Sequence, residues 1–283
     1  MQRQIGDLIT GEKIPVGEWI AQGVDWLTVH HASWFDALSS ALGTMIGAVQ
    51  YMLATPHPIT VIIVAMGLAW LLQRRWAITL GTGLGLAFVL NQGLWTETMQ
   101  SLTLVLCSCI LCMAMGVPLG VLFGHRPRLY AWVRPLLDLM QTLPTFVYLI
   151  PAVVFFGLGM VPGLIATVIF ALPAPVRLTQ LGIASTPPAL RETALAFGAT
   201  PRQLLWKVEI PSALPQIMAG LNQAIMLSLS MVVIAALVGA SGLGVPVLRA
   251  LNSLNTRLGF ESGLVIVVVA VVLDRMLRMR GRA

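Results

Sequence analysis

The sequence carries little charge. Asp, Glu, Lys and Arg together supply only 10% of its 283 residues, where a soluble globular domain carries about a quarter. Hydrophobic residues make up 57% of the chain and the mean hydropathy is +0.87. A water-soluble domain is thereby excluded, and an all-α polytopic membrane protein is expected. Lysine is scarcer still: Lys13 and Lys207 are the only two, and neither follows a Gly-x-x-x-x-Gly run. The chain therefore has no phosphate-cradling loop and no nucleotide site of its own. The cysteines, Cys107, Cys109 and Cys112, share one apolar segment without His or carboxylate nearby, so neither a metal site nor a disulfide framework is expected. No Ser-His-Asp set or carboxylate pair suggests catalysis. The apolar segments hold almost no ionisable groups, which leaves a membrane proton relay without members. The first thirty residues contain no signal-peptide core, so no cleavage is expected.

What is present is a series of apolar runs. Seven can be marked: Pro58–Leu72, Trp76–Leu90, Thr98–Phe123, Leu136–Phe156, Val161–Leu181, Leu214–Gly239 and Phe260–Leu277. A crossing helix needs about 20 apolar residues. The last five runs meet or approach that length, and the first two are short. The net charge of +6 rests on 15 Arg and 2 Lys against 11 carboxylates. In a soluble protein this balance would suggest nucleic acid, but here it reads as the positive-inside bias, and no nucleic-acid partner is expected. If the spans alternate, one side holds Arg74 and Arg75, then Arg126, Arg128 and Arg134, then Arg177, Arg191, Arg202 and Lys207, then Arg275, Arg278, Arg280 and Arg282. That is thirteen of the 17 basic residues, with Arg3, Lys13, Arg249 and Arg257 opposite. The rich side is assigned to the cytoplasm. The C-terminus is then inside and, with seven spans, the N-terminus outside.

The organisation expected is a tail over residues 1–55, two short spans over 56–92 and a core over 93–281. In the tail, Trp19, Trp26, Trp34 and Phe35 interleave with Asp25, His30, His31, Asp36 and Gln50. That pattern fits interfacial amphipathic helices. The alternative is a true span at 35–54, which would place the N-terminus inside. His30 and His31 suggest a metal only superficially, because adjacent helical side chains diverge.

One loop, residues 187–215, is polar between apolar runs. Pro187 and Pro188 end one helix, and Pro188 suits the first turn of the next. Leu190, Ala194 and Phe197 form an apolar stripe, with Arg191 and Glu192 facing elsewhere. Gly198 fits a left-handed cap, and Thr200 with Pro201 starts a second short helix. Pro211 and Pro215 bracket the return to the membrane. By pattern alone the loop either packs on its own bundle or docks into a partner.

Elsewhere, polar residues inside the runs are candidates for a solute pathway: Gln141 and Thr142 before a bend at Pro144, Tyr148, and Asn222, Gln223, Ser228 and Ser230. Such residues also serve as glue between helices. Gly116, Gly120 and Gly124 predict close helix packing. Gly239, Gly242 and Gly244 predict a sharp turn after the sixth run.

Glu192-Thr193-Ala194, followed by Gly198, Ile210-Pro211 and Leu214-Pro215, resembles the EAA-type coupling motif of ABC importer permeases, with Thr193 in place of the first alanine. The runs DLMQTLPTFVYLIP (138–151), FGLG (156–159), VPG (161–163), TVIF (167–170), LSLSMVVIAALVG (227–239) and GLG (242–244) are similar to permeases for glycine betaine, proline betaine and choline. IPVGEW (14–19) and VDWL (24–27) look most like the choline-importing branch. The resemblance implies a type I ABC importer transmembrane fold of about seven spans plus an N-terminal amphipathic helix. It implies a permease subunit for a quaternary ammonium compound, most of all choline, or glycine betaine or proline betaine, in a bacterial inner membrane. Leu190, Glu192, Thr193, Ala194, Phe197, Gly198 and Pro211 would then meet an ATPase subunit. Two such ATPases, a homodimeric permease, membrane lipid and an extracytoplasmic quaternary-amine-binding protein are the implied partners. No cofactor is implied for this chain, since ATP and Mg would sit in the ATPase. The alternatives are a permease for another small solute, or a stand-alone secondary carrier, which would need ionisable residues at membrane depth.

Overall fold

The computed structural model describes residues 15–277. The charges expected at Arg3, Lys13, Arg278, Arg280 and Arg282 lie outside that range. The chain forms two units, Met1–Ala41 and Leu42–Ala283, with the division falling inside a helix.

The first unit contains α1 (Val16–His30) and the start of α2 (Ala32–Ala54). In α1 the Trp26 ring stacks on His30 with centroids 4.6 Å apart, and His31 meets it edge-on at 5.8 Å. The two histidines thus turn their rings to one tryptophan. Trp19, Trp26 and Trp34 are each more than half exposed. By length and composition α2 is able to cross a bilayer.

In the second unit α3 (Pro58–Gln73) and α4 (Trp76–Asn91) form a hairpin. At 16 residues each, these helices are about 24 Å long, shorter than the roughly 30 Å hydrocarbon core. Arg74 takes a left-handed conformation at the turn, and Trp70 stacks on Trp76. α5 (Trp95–His125) is continuous through Pro118. α6 (Pro127–Thr142) and α7 (Thr145–Phe156) meet at 93°. The sequence predicts one span bent at Pro144; the structure instead breaks it at a right angle. Pro144 forces Leu143 into an extended conformation, with ψ of 136°. α8 (Met160–Ala171) and α9 (Pro173–Ala184) together make one 25-residue span. Arg177 lies within α9, as it lies within the fifth apolar run.

Then come α10 (Pro188–Ala196) and α11 (Pro201–Leu204), a π-helical turn (Leu205–Glu209), and α12 (Ile210–Ala236). The run from Pro201 to Ala236 is one 36-residue span candidate. The second short helix of the loop thus does not end before the membrane segment. The wider π turn precedes Pro211 and Pro215, whose rings cannot join a regular ladder. α13 (Gly244–Asn252) and α14 (Thr256–Leu277) complete the fold.

The core is α9 packed between α5 and α12, and glycines set the spacing. A Cβ on Gly120 would sit 2.5 Å from Thr179 Cβ, and one on Gly124 2.6 Å from Ile183 Cγ2. On the other flank of α9, a Cβ on Gly220 would lie 2.9 Å from Pro175 Cα, and one on Gly182 2.8 Å from Ala213 Cβ. The helices approach this closely because dispersion packing must hold them where lipid removes most of the hydrophobic drive. α14 closes the hairpin: Gln73 Nε2 donates to Met276 O at 2.9 Å, and Gly85 abuts Val268 and Val272.

Candidate functional site

Local sequence builds the loop helix α10. Pro187 is extended and Pro188 occupies the first turn, where its missing N–H costs nothing. At the other end Gly198 has φ of +77°, its N–H donates to Leu195 O at 2.9 Å, and Ala199 N–H donates to Ala194 O at 3.0 Å. This double bond pattern is a Schellman cap. Thr200 Oγ1 then accepts from Gln203 N at 3.3 Å, while Gln203 Oε1 accepts from Thr200 N at 2.8 Å. That reciprocal capping box starts α11. The whole connection is only a few residues long and defined at every step.

α10 buries none of its residues. Leu190 and Leu195 are about half exposed, and Phe197 is 89% exposed. Ala194 is partly covered, and Glu192 and Thr193 are exposed. Trp206 and Pro211 are exposed on the following turns. Leu190, Ala194 and Phe197 share one side of α10 as expected, while Leu195 lies on another side of the helix and Trp206 on the π turn.

Arg191 does not face solvent alone. Its Nη2 lies 2.9 Å from Glu209 Oε1, an ionic approach off the hydrogen-bond line. The second carboxylate oxygen, Oε2, is 2.6 Å from His125 Nε2. Glu209 is only 1% exposed, while its two partners remain more than a third exposed. One buried carboxylate thus joins the last residue of α5, the helix α10 and the root of α12. Removing a partner leaves this buried carboxylate less compensated, at a cost held below the ~3–5 kcal/mol of a fully buried pair by the partners' own exposure. Sequence reasoning passed over Glu209 and His125. Their signal was a lone acid beside a run of prolines and a lone histidine at a helix end.

The opposite end of the bundle is tied by backbone. Ser101 Oγ accepts from Leu243 N at 2.8 Å, and Gly159 N donates to Val238 O at 2.9 Å. Gly239 and Gly242 have φ of +86° and +133°, and Gly244 opens α13. They form the sharp turn expected after the sixth run. A second ion pair, Arg177 Nη2 to Asp138 Oδ1 at 2.6 Å, links α9 to α6.

The candidate pathway residues do not converge on one site. Ser228 hydrogen-bonds Ser108 at 2.8 Å and is buried, joining α12 to α5. Tyr148 is buried among Leu149, Ala166, Met231 and Val238, and its hydroxyl has no partner among the described residues. Thr142 is exposed and donates to Leu139 O at 3.4 Å, while Gln141 is half-buried. Ser230 is exposed and donates to Met226 O at 3.0 Å. Asn222 is half-buried with Oδ1 unpartnered, and Gln223 is exposed. Gln216, Gln223 and Ser230 recur every seventh residue, so they share one face of the helical run. Among the described residues no His, Cys, Asp and Glu cluster is arranged to hold a metal.

This architecture matches known proteins. A family model described as binding-protein-dependent transport system inner membrane component covers residues 116–279. A glycine betaine transport system permease protein of Bacillus subtilis is 44% identical over 93% of this chain and 93% of its own length. A glycine betaine/proline betaine transport system permease protein of Escherichia coli is 42% identical over 95% of this chain and 76% of its own. A choline transport system permease protein of Bacillus subtilis is 35% identical over 60% of this chain and 75% of its own. Among solved structures, an inward-facing methionine ABC transporter chain superposes with a TM-score of 0.56 at 23% identity, over 63% of this chain and 92% of that one. The fold is that of a type I ABC importer permease, and the chain belongs to the binding-protein-dependent transport system inner membrane components.

Proposed function

We propose that this chain is the membrane path of an ATP-driven importer for quaternary ammonium compounds, choline or a betaine. The carrying observation is α10: a capped helix with no fully buried residue and with Leu190, Leu195 and Phe197 exposed, rooted in the bundle through Glu209. A helix with no fully buried residue gains little tertiary packing from its own bundle, so its exposed apolar side chains await a groove in a partner. Hydrolysis belongs to a separate ATPase, which would hold the ATP and Mg. Leu190, Glu192, Thr193, Ala194, Phe197, Gly198 and Pro211 form the surface offered to it. Two ATPases, a second permease copy and an extracytoplasmic binding protein complete the assembly. The relatives named for glycine betaine align over nearly the whole chain and the choline relative over part of it, so both solutes belong in the test.

The loop carrying α10 faces the cytoplasm, as does the C-terminus, because Arg74, Arg75, Arg126, Arg128, Arg134, Arg191 and Arg202 lie on that side. Seven crossings place the N-terminus outside. A crossing by α2, which its length permits, would place it inside. On α12, the face bearing Gln216, Gln223 and Ser230 is the part of the polar set that supports a solute path. The buried Ser228 acts as interhelical glue. The test is reconstitution with an ATPase and a binding protein in vesicles, following ATP hydrolysis and uptake with choline, glycine betaine or neither. Solute-dependent hydrolysis with uphill uptake is expected. Uphill uptake by the purified chain without any ATPase would overturn the reading.

A further inference from the structure

Resting on that reading, we infer that Arg191, Glu209 and His125 form the joint through which the docking helix moves the bundle. Arg191 and Glu209 act as positioning residues for coupling and not merely as structural ones.

α10 has two kinds of attachment. Its covalent attachments are short turns: Pro187 and Ser185 lie outside helix before it, and Gly198 with positive φ follows it under the Schellman cap. α10 contributes no buried side chain that could resist pivoting. Among the described residues, Arg191 is the α10 side chain with an ionic tie to another element. The tie ends on Glu209, which is 1% exposed, and the other oxygen of that carboxylate is held by His125. Both anchoring points are stiff. His125 ends the 31-residue α5, and Glu209 enters α12 directly. Alongside the chain itself, the ion pairs give a displacement of α10 a direct side-chain route to α5 and α12, through one carboxylate buried at the contact. The π turn at Leu205–Glu209 adds to this arrangement, since it lets Glu209 turn inward while the chain continues into α12.

A merely structural pair and a force-bearing joint predict different outcomes. With Arg191→Gln, the joint is cut but the docking surface is intact. The reconstituted complex should keep its ATPase on copurification and hydrolyse ATP within about twofold of the parent. Uptake per ATP hydrolysed should fall about tenfold, within the range usual for coupling between sites. Arg191→Lys, which keeps a cation within reach of Glu209, should retain most of the coupling. Arg191→Gln can also destabilise the chain by leaving Glu209 with one partner, so the double variant Arg191→Gln/Glu209→Gln is decisive. It removes the buried charge together with its partner. If the role is only structural, the double variant recovers coupled uptake; if the joint transmits movement, it assembles normally and stays uncoupled. Recovery of coupled uptake in the double variant, or equal losses of uptake and hydrolysis in an assembled Arg191→Gln complex, would overturn the inference. If the parent complex itself shows no solute-dependent uptake, it is the importer reading that fails.

Discussion

Gly198 carries the sharpest residue-scale requirement in the loop that bears α10. Its φ of +77° suits glycine, and a Cβ there would meet nothing within 4 Å. Substitution is therefore penalised by backbone strain and not by a clash. A left-handed conformation costs an L-residue about 1–2 kcal/mol. Gly198→Asp adds a carboxylate at the C-terminal end of α10, where the helix dipole disfavours negative charge by a further ~0.3–1 kcal/mol. The expected outcome is normal membrane insertion with much weaker copurification of the ATPase, read by pull-down from solubilised membranes. Full copurification with full uptake would show that the cap does not shape the docking surface. This cap was legible in the sequence because every determinant is local: Pro188, Gly198, Thr200 and Pro201 lie within fourteen residues. Glu209 was not legible, because its partners His125 and Arg191 are 84 and 18 residues away and meet it only after α5, α10 and α12 have packed.

At the scale of elements, the bundle depends on how closely α9 lies against α5. Gly120 is the tightest point on α5, with Thr179 Cβ at 2.5 Å and Val176 O at 2.8 Å from any added Cβ. Gly120→Val would force the two helices apart, and overpacking of this kind costs about 1–3 kcal/mol. Gly67→Val is the control, since Gly67 has no neighbour within 4 Å. Thermal denaturation in detergent should show a clear loss of midpoint for Gly120→Val and little change for Gly67→Val. Equal midpoints would mean that α5 and α9 have slack the geometry does not show. The repeat Gly116, Gly120, Gly124 announced close packing in the sequence, but not its partner. α9 is recognised only in three dimensions, where Pro175, Thr179 and Ile183 fall opposite the three glycines. The right-angle break at Leu143-Pro144 was likewise only half legible. Proline fixes a bend at that point, but the angle of 93° is set by where α7 packs, with Tyr148 and Leu149 against Ala166, Met231 and Val238.

At the scale of the whole molecule, the charge distribution is what the proposed orientation rests on. The two ends of the 42–283 unit differ in kind. One carries Arg126, Arg191, Arg202 and the Glu209 joint, and the other carries the glycine turn at 239–244 held by Ser101. Anchoring cations on the cytoplasmic side is the rule for inner-membrane chains, so the α10 end should be the one reached by ATP and its hydrolase. Cysteine labelling tests this directly, because Cys107, Cys109 and Cys112 are all buried and should stay silent. Ala196→Cys, at the exposed end of α10, should react with a membrane-impermeant maleimide only after the cells are opened. Leu254→Cys, 89% exposed between α13 and α14, should react in intact spheroplasts. The reverse pattern would place α10 outside, beyond the reach of any cytoplasmic ATPase, and would remove the physical basis for coupling altogether. A third cysteine at Gly17 decides the N-terminus by the same readout. Labelling in intact spheroplasts supports seven crossings with α1 outside, and protection until opening means that α2 crosses as well.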